Sequence, residues 1–278
     1  MPTPVLATAA GSDGWQAILA DPASALVASD FDGTLSPLVA DPATSRPADG
    51  ALAALARLSG SVRQVGLLTG RPALVVTELS GVVGFPGLER LVVLGHYGLE
   101  RYEAATGTVS SADVPAGVEL ARKRLPEVLA GAGRPDAYVE DKGSSLAVHT
   151  RRMAEPQQAL ADLRGPLTAL ADELGLRLEP GNLVLELRPP GIDKGVALRR
   201  LAEQTGARSL LYAGDDLGDL AAFDAAESLR ADGLRAVLVA ARSSGVEALV
   251  ERADIAVDDP DGVVTVLTAL ADGIAARS

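Results

Sequence analysis

The sequence predicts an α/β protein whose core is a doubly wound parallel sheet, with a smaller α+β domain inserted into it. Two observations predict the sheet: short apolar runs alternate with helical patterns, and a hydrophobic fraction of 47% includes only 3% aromatic residues. A core of Ala, Val and Leu suits parallel strands covered by helices on both faces. A third observation predicts the insertion, because the middle of the chain breaks this alternation.

Each predicted core strand is a short apolar run, such as "ALVASD" or "SLLYAG". In chain order these runs end at Asp30, Thr69, Gly95, Gly214, Arg242 and Asp258. Helical patterns lie between most of them, at residues 48–60, 71–81, 193–206 and 217–228. This order is typical of a Rossmann-like sheet, in which ligands bind beyond the carboxyl ends of the strands. The first dozen residues are expected to form a loose tail.

The insertion is predicted from two helices and several strands of antiparallel type. The helices lie near residues 116–131 and 155–174, and the strands lie in "LERYEA", "AYVEDKGSSLAVHTR", "LRLEP" and "LVLELRP". Such a mixture forms an α+β layer, which differs in kind from the flanking sequence. We therefore predict a core of residues 1–97 and 190–278 and an inserted cap domain of residues 98–189.

Composition narrows the classes of partner and location. A formal net charge of −12 argues against binding to nucleic acid or an anionic membrane. No apolar run reaches the roughly 18 to 20 residues that span a bilayer, and the start of the chain lacks the basic residues of a secretory signal. The absence of cysteine excludes thiol catalysis, thiolate metal ligands and disulfides. We expect a cytoplasmic protein, and a monomer by default.

Acidic residues are concentrated after two of the predicted strands, in "DFDG" and in "GDDLGD". If Asp30, Asp32, Asp215, Asp216 and Asp219 share one edge of the sheet, their repulsion would destabilise the fold unless a cation lies among them. Carboxylate and carbonyl oxygens suit a hard divalent ion, and Mg²⁺ is the expected one. Asp30 and Asp215 would supply carboxylates, and Asp32 its backbone carbonyl.

The same residues favour phosphoryl transfer. Asp30 can attack phosphorus to give an aspartyl-phosphate, and Asp32 can protonate the leaving alcohol and later deprotonate water. Gly33 lets the chain turn so that backbone N–H groups face phosphate oxygens. Thr69 adds a hydroxyl donor, and Lys194, at a helix start, offsets the developing charge. Taken singly, "DxDG" could be a surface turn and "GDDLGD" a helix cap, but their joint occurrence at strand ends and helix starts indicates function.

Together the motifs "DFDGTL", "LLTGRP", "GIDKG" and "GDDLGD" resemble those of the haloacid dehalogenase superfamily of phosphohydrolases. The resemblance implies that Asp30 is the nucleophile, that Asp32 is the general acid and base, and that both bind Mg²⁺ together with Asp215. It implies secondary support of that site by Asp216 and Asp219. The insertion lies where this superfamily carries a cap that closes over the substrate and excludes water.

A closer resemblance, to the trehalose-6-phosphate phosphatases, rests on "DFDGTLSPLVADPATSRP", "GHYGLERY", "VEDKGSSLAVHTR" and "LVLELRPPGIDKG". It implies that Glu140, Lys142 and Glu186 bind sugar hydroxyls, and that the chain hydrolyses trehalose 6-phosphate through an aspartyl-phosphate with Mg²⁺. The alternatives are a phosphatase for sucrose or mannosylglycerate phosphates, or a non-catalytic sugar-phosphate sensor. Glu140 and Lys142 could also form a solvated turn, and Glu186 could lie on a solvent-facing strand surface.

The roles of three further residues, Arg71, His96 and Tyr97, stay open. Arg71 could contact the substrate phosphate or merely start the helix that follows "TG". Many relatives read "GNHGLE" or "GSHGAE", whereas this chain has "GHYGLE", with His96 one position early and Tyr97 in its place. A specific role is therefore assigned to neither residue.

Overall fold

The computed structural model describes residues 4–112 and 115–277. The chain divides into two compact units. The core unit comprises Met1–Ser111 and Asp193–Ser278, and the inserted unit comprises Ala112–Ile192. The larger unit is thus built from two separate stretches of sequence.

Helices and strands alternate along most of the described chain. The helices are α1 (Ala9–Ala20), α2 (Ala51–Ser61), α3 (Ala73–Ser80), α4 (Ala116–Gly131), α5 (Pro156–Glu173), α6 (Lys194–Thr205), α7 (Asp219–Ala231), α8 (Glu247–Val250) and α9 (Pro260–Ala275). The strands are β1 (Ala25–Ser29), β2 (Gln64–Leu68), β3 (Leu91–Gly95), β4 (Glu100–Glu103), β5 (Thr108–Ser111), β6 (Tyr138–Asp141), β7 (Leu146–His149), β8 (Arg177–Gly181), β9 (Val184–Arg188), β10 (Ser209–Gly214), β11 (Arg235–Ala241) and β12 (Ile255–Val257). Across the described ranges, no helix is both long enough and apolar enough to cross a membrane.

The core unit contains an eight-stranded sheet in the order β12-β11-β10-β1-β2-β3-β4-β5. The strands from β12 to β3 pair in parallel, and β4 and β5 continue the sheet in antiparallel fashion. Strand order reverses at β1, since the chain proceeds to β2 and β3 on one side and returns through β10 on the other. The predicted doubly wound parallel sheet is confirmed.

Both faces of this sheet are covered. On β1, Ala25 and Val27 belong to one apolar cluster, which includes residues of α1, α2, α3 and α9. Their neighbours Leu26 and Ala28 belong to a second cluster, which includes residues of α6 and α7. Because successive side chains of a strand point to opposite faces, this division shows a helical layer on each side. Burial of each leucine-sized side chain contributes about 1.5–3 kcal/mol.

The structural boundaries differ from the predicted ones at both ends of the insertion, and the inserted unit ends at Ile192 rather than at residue 189. Residues 98–111 were expected in the insertion, but β4 and β5 lie in the large sheet. The reason is the short reversal at residues 96–99, which pairs Gly95 with Glu100 and leaves β4 antiparallel beside β3. The expected loose tail is wrong from Ala9 onward, because α1 begins there, is capped by Thr8 and buries Trp15.

The inserted unit is a four-stranded antiparallel sheet in the order β6-β7-β9-β8, with α4 and α5 packed on one face. Leu125 and Leu163 of the helices share an apolar cluster with Val148 and Leu185 of the strands. Most of the alternate side chains of these strands are polar or charged, as expected for an antiparallel sheet with one face on a core. Its α+β composition agrees with the prediction.

Candidate active site

The predicted catalytic residues of the core unit follow three neighbouring strands. Asp30 follows β1, Thr69 follows β2 and Asp215 follows β10, and β1 pairs with β2 on one side and with β10 on the other. Because these strands are parallel, their carboxyl ends lie at the same edge of the sheet. Asp30, Thr69 and Asp215 are all buried, so the edge places polar groups where water has little access.

Lys194 joins the first and fourth motifs at this edge. Its ammonium Nζ lies 2.9 Å from Asp30 Oδ2, 2.9 Å from Asp219 Oδ1 and 3.4 Å from Asp216 Oδ1, and only 3% of its side chain is exposed. Burial alone would lower the pKa of Lys194, but the carboxylates of Asp219 and Asp30 outweigh it and raise that pKa well above its usual value. The lysine is therefore held as a cation in a desolvated pocket of acids.

The third acid of the fourth motif, Asp219, has its hydrogen-bonding capacity filled by the protein itself. One of its oxygens, Oδ2, accepts hydrogen bonds from the backbone N–H groups of Asp215 and Asp216. The other, Oδ1, accepts bonds from Lys194 and from the hydroxyl of Tyr212, at 2.6 Å. Burial and the neighbouring Asp219 raise the pKa of Tyr212 well above its usual value, so the phenol stays protonated and can donate.

Asp215 is oriented by two hydroxyl groups. Thr34 Oγ1 donates to Asp215 Oδ1 at 2.9 Å, and Ser244 Oγ donates to Oδ2. Burial raises the pKa of Asp215 to about 6, although both hydroxyls oppose the shift. Gly33 adopts a φ of 81°, and a Cβ there would overlap the carboxylate of Asp215. A larger residue at position 33 would therefore displace the carboxylate as well as strain the backbone.

The buried acids fit a divalent cation. Asp30, Asp215 and Asp219 each offer a carboxylate oxygen, and these oxygens lie within 4.8 Å of one another. Burial raises the pKa of Asp30 well above its usual value, and the charge on Lys194 only partly opposes it. One ammonium does not balance this group of acids, and hard oxygen ligands are the donors that Mg²⁺ prefers. Since Asp219 already accepts four hydrogen bonds, Asp30 and Asp215 have the freer carboxylates.

The remaining acid of the first motif, Asp32, forms a two-pronged ion pair with Arg71. Arg71 Nε lies 2.5 Å from Asp32 Oδ2, and Nη2 lies 2.6 Å from Oδ1. Ser45 Oγ also donates to Oδ1, at 3.0 Å. The third guanidinium nitrogen, Nη1, donates to the carbonyl of Pro42 at 2.9 Å. Arg71 thus contacts Asp32, which is a predicted catalytic residue, and neither of the two roles predicted for Arg71 included this arrangement.

The segment after β3 supports the loop of the second motif. His96 and Tyr97 both have positive φ angles, of 47° and 58°, which is uncommon for residues other than glycine. Their N–H groups donate to the carbonyls of Arg71 and Thr69, at 3.0 and 2.9 Å. Thr69 Oγ1 in turn accepts a bond from the N–H of Arg71 at 3.1 Å. These two left-handed residues therefore brace the turn that presents Thr69 and Arg71.

In the inserted unit, the predicted sugar-binding residues lie around one row of its sheet. Glu140 pairs in register with Ala147, and Ala147 pairs with Glu186, so the two glutamates share a face. Lys142 Nζ lies 3.2 Å from Glu186 Oε2, and Ser145 Oγ donates to Glu186 Oε1 at 2.6 Å. The structure thus brings Lys142 and Glu186 together.

Glu140 has a different partner in this unit. Its Oε2 lies 2.9 Å from Nε2 of His149, which is two residues beyond Ala147 along β7. The side chain of Glu140 is 43% exposed, and that of Glu186 only 14%. The face therefore carries one carboxylate, that of Glu186, which is fixed by two donors, and another, that of Glu140, which is more exposed and contacts His149.

The sequence analysis gave no role to four hydroxyl groups that contact the acids of the site, those of Thr34, Ser45, Tyr212 and Ser244. Ser244 follows β11 at the carboxyl edge of the sheet, so the strand-end rule that identified Asp30 could have found it. Thr34 stands inside the first motif and could have been tested in the same way. No sequence pattern indicated a role for Ser45 or Tyr212. Ser45 lies in a loop, and Tyr212 lies in an apolar run that predicts a buried strand.

Comparison with solved structures identifies the fold class of the chain. A haloacid dehalogenase-like hydrolase from Bacteroides thetaiotaomicron superposes with a TM-score of 0.57 at 18% identity, over 87% of this chain and 97% of that one. The trehalose-6-phosphate phosphatase of Aspergillus fumigatus superposes with a TM-score of 0.70 at 22% identity, over 98% of this chain and 99% of that one. At these identities the likeness establishes the fold, which is that of the haloacid dehalogenase type with an inserted cap.

The family follows from the sequence comparison. The model of the trehalose-phosphatase family matches residues 28–256, and the chain therefore belongs to that family. A trehalose-phosphate phosphatase of Mycolicibacterium paratuberculosis is 35% identical over 205 residues, which are 70% of this chain and 50% of that protein. The chain thus spans about half the length of the curated relatives it matches. These findings confirm the resemblance on which the residue assignments were based.

Proposed function

We propose that this chain is a phosphatase that hydrolyses trehalose 6-phosphate to trehalose and phosphate. The observation that carries the proposal is the buried contact between Asp30 and Lys194, at the strand edge shared with Thr69 and Asp215, in a chain of the trehalose-phosphatase family. A carboxylate beside a fixed cation can act as a nucleophile toward an anionic phosphate, because the cation offsets the repulsion between them.

In the first step, a carboxylate oxygen of Asp30 attacks phosphorus and forms an O–P bond. The bond between phosphorus and the sugar oxygen breaks, and Asp32 transfers a proton to that oxygen. Lys194 and the hydroxyl of Thr69 stabilise the charge on the phosphoryl oxygens as it develops. Trehalose leaves, and Asp30 carries the phosphoryl group.

In the second step, Asp32 accepts a proton from water while the water oxygen attacks phosphorus. The O–P bond to Asp30 breaks, which restores the carboxylate and releases phosphate. Asp32 regains in this step the proton that it lost in the first. Gly33 leaves space for the carboxylate of Asp215, and the turn it allows can direct N–H groups to the phosphate.

Mg²⁺ is the cofactor we propose, held by the carboxylates of Asp30 and Asp215 and by the backbone carbonyl of Asp32. When bound, such an ion neutralises acidic charge and polarises a phosphoryl oxygen. Asp216 and Asp219 support the site indirectly, since both contact Lys194. Removal of divalent ions with a chelator should abolish phosphate release, and added Mg²⁺ should restore it.

We further propose that Glu140, Lys142 and Glu186 select the sugar. Carboxylates accept hydrogen bonds from hydroxyls and an ammonium donates to them, so a disaccharide offers many partners for these groups. A site that relies on such bonds rejects analogues that leave them unmade. Phosphates of other sugars, including those of sucrose and mannosylglycerate, present a different pattern of hydroxyls.

The test is phosphate release by the purified protein with Mg²⁺ from trehalose 6-phosphate, glucose 6-phosphate, sucrose 6-phosphate and mannosylglycerate phosphate. We expect the trehalose ester to be hydrolysed far faster than the others, and Asp30→Asn to abolish release. Equal rates on trehalose and glucose esters would refute the specificity. Metal-dependent binding with no release would favour the sugar-phosphate sensor.

Two finer proposals concern location and assembly. The lack of cysteine is compatible with a reducing compartment, and we propose a cytoplasmic monomer. Light scattering coupled to size-exclusion chromatography would give the mass of the particle. A value near twice the chain mass of 28.3 kDa would contradict the monomer.

A further inference from the structure

The contacts of Arg71 are directed to Asp32 and the neighbouring loop. Two of its nitrogens form the ion pair with the two oxygens of Asp32, at 2.5 and 2.6 Å. The third donates to the carbonyl of Pro42 at 2.9 Å. All three guanidinium nitrogens therefore have partners within the protein, and these bonds use three of the five guanidinium N–H groups.

The same contacts restrain Asp32. The guanidinium group of Arg71 is planar and rigid, so a two-pronged pair fixes both the position and the plane of the Asp32 carboxylate. Ser45, whose side chain is buried, adds a third donor at 3.0 Å on Oδ1, and Ser45 is itself held by Ser36 at 2.6 Å. A carboxylate accepts about four hydrogen bonds in total. Oδ1 is therefore filled, whereas Oδ2 keeps one acceptor position.

We propose that Arg71, assisted by Ser45, is a positioning residue that aims Oδ2 of Asp32 at the oxygen of the departing sugar. The proposal rests on the proposed function, in which Asp32 transfers the proton. The proposal predicts a selective effect. Substitution of Arg71 should slow the hydrolysis of esters whose leaving group needs a proton, and should have little effect on esters whose leaving group does not. A direct contact between Arg71 and phosphate would instead affect every phosphate ester alike.

Arg71→Lys separates these two roles, because lysine keeps the positive charge and loses the planar fork. The substrates are trehalose 6-phosphate, whose alkoxide must be protonated, and p-nitrophenyl phosphate, whose phenolate leaves readily without a proton. The measured quantity is kcat/KM, which reports steps up to departure of the alcohol and excludes the hydrolysis of the phosphoenzyme. If trehalose 6-phosphate is not a substrate, any alkyl phosphate that the unsubstituted protein hydrolyses replaces it.

General acid catalysis contributes about 10²–10⁴-fold, so a misdirected acid should lose part of that factor. We expect Arg71→Lys to lower kcat/KM for the alkyl phosphate by about tenfold to a hundredfold, and to lower that for p-nitrophenyl phosphate by a much smaller factor. Ser45→Ala should shift the same ratio in the same direction, to a lesser extent.

Arg46→Lys is the matched control, because Arg46 is exposed in the same loop and donates to the carbonyls of Ala43 and Ser45 without contacting Asp32. It should leave the ratio unchanged. Equal losses of kcat/KM on both substrates in Arg71→Lys would overturn the proposal and indicate a contact with phosphate. The absence of any loss would also overturn the proposal. The proposed function is tested separately with the unsubstituted protein. If that protein releases phosphate from neither ester, the proposed function is wrong, and this inference is wrong with it.

Discussion

The polar residues of the core edge and those of the inserted sheet are held by different physical means. At the core edge, Lys194 is 3% exposed and faces Asp30 and Asp219, which are also buried. In the inserted unit, the side chain of Lys142 is 25% exposed, and it pairs with Glu186 at 3.2 Å. Each unit thus contains a lysine bound to carboxylates, but only one of these groups is removed from water.

Because of this difference in burial, substitutions in the two units should affect different properties of the protein. A buried charge that loses its partner has no water to replace it, so its neighbours pay the cost of desolvation. A charge that keeps some access to water, as Lys142 does, is rehydrated when its partner is removed, and the loss is usually below about 1 kcal/mol. Substitutions at the core edge should therefore alter folding and catalysis together, whereas those on the inserted sheet should alter recognition with little effect on folding.

The largest expected effect comes from the same substitution made in both places. Lys194→Met leaves the buried carboxylates of Asp30 and Asp219 without their cation, and removing one partner of such a group typically costs about 3–5 kcal/mol. Lys142→Met should cost less than about 1 kcal/mol. Urea denaturation in the presence of a chelator measures both free energies of unfolding. Similar costs at the two sites would contradict the comparison.

Some residues of the candidate active site could be predicted from the sequence, and others could not. Asp30, Thr69 and Asp215 were predictable because strand ends of a parallel sheet converge on one edge, which needs only the strand pattern. The contact between Arg71 and Asp32 was not, since two plausible roles for an arginine after a strand end look alike in sequence. Tyr212 was hidden for another reason: it occupies a buried strand position where an aromatic residue needs no explanation beyond packing.

The domain boundary was mispredicted for a related reason. The strand at Glu100–Glu103 is rich in charged residues, unlike the apolar strands of the core, so its composition pointed to the insertion. What assigns it to the core is the reversal at residues 96–99, which pairs it with β3. That reversal depends on the left-handed backbone of His96 and Tyr97, which the residue types do not indicate.

A smaller effect is expected from removing one hydroxyl at the core edge. Tyr212→Phe deletes the donor that lies 2.6 Å from Asp219 Oδ1 and keeps the edge-on contact with the ring of Phe223. A hydrogen bond to a charged group contributes about 1.5–3 kcal/mol, and we expect a loss of stability in that range. Tyr138→Phe in the inserted unit is the control, since Tyr138 is 52% exposed, and it should change stability by less than about 0.5 kcal/mol. Equal changes would mean that the buried hydroxyl contributes nothing to the site.

The smallest effect in free energy, and the one most specific to the inserted unit, is expected on substrate choice. Lys142→Met removes the ammonium that holds Glu186 Oε2 and that we propose as a donor to the sugar. Loss of one such bond should reduce the preference for trehalose 6-phosphate over p-nitrophenyl phosphate, measured as the ratio of the two kcat/KM values, by about tenfold, which corresponds to ~1.4 kcal/mol. Lys123→Met, on α4 of the same unit, is the matched control and should keep the ratio. If Lys142→Met also keeps it, the ion pair with Glu186 is a feature of the sheet alone, and the selection of the sugar must be sought in other residues.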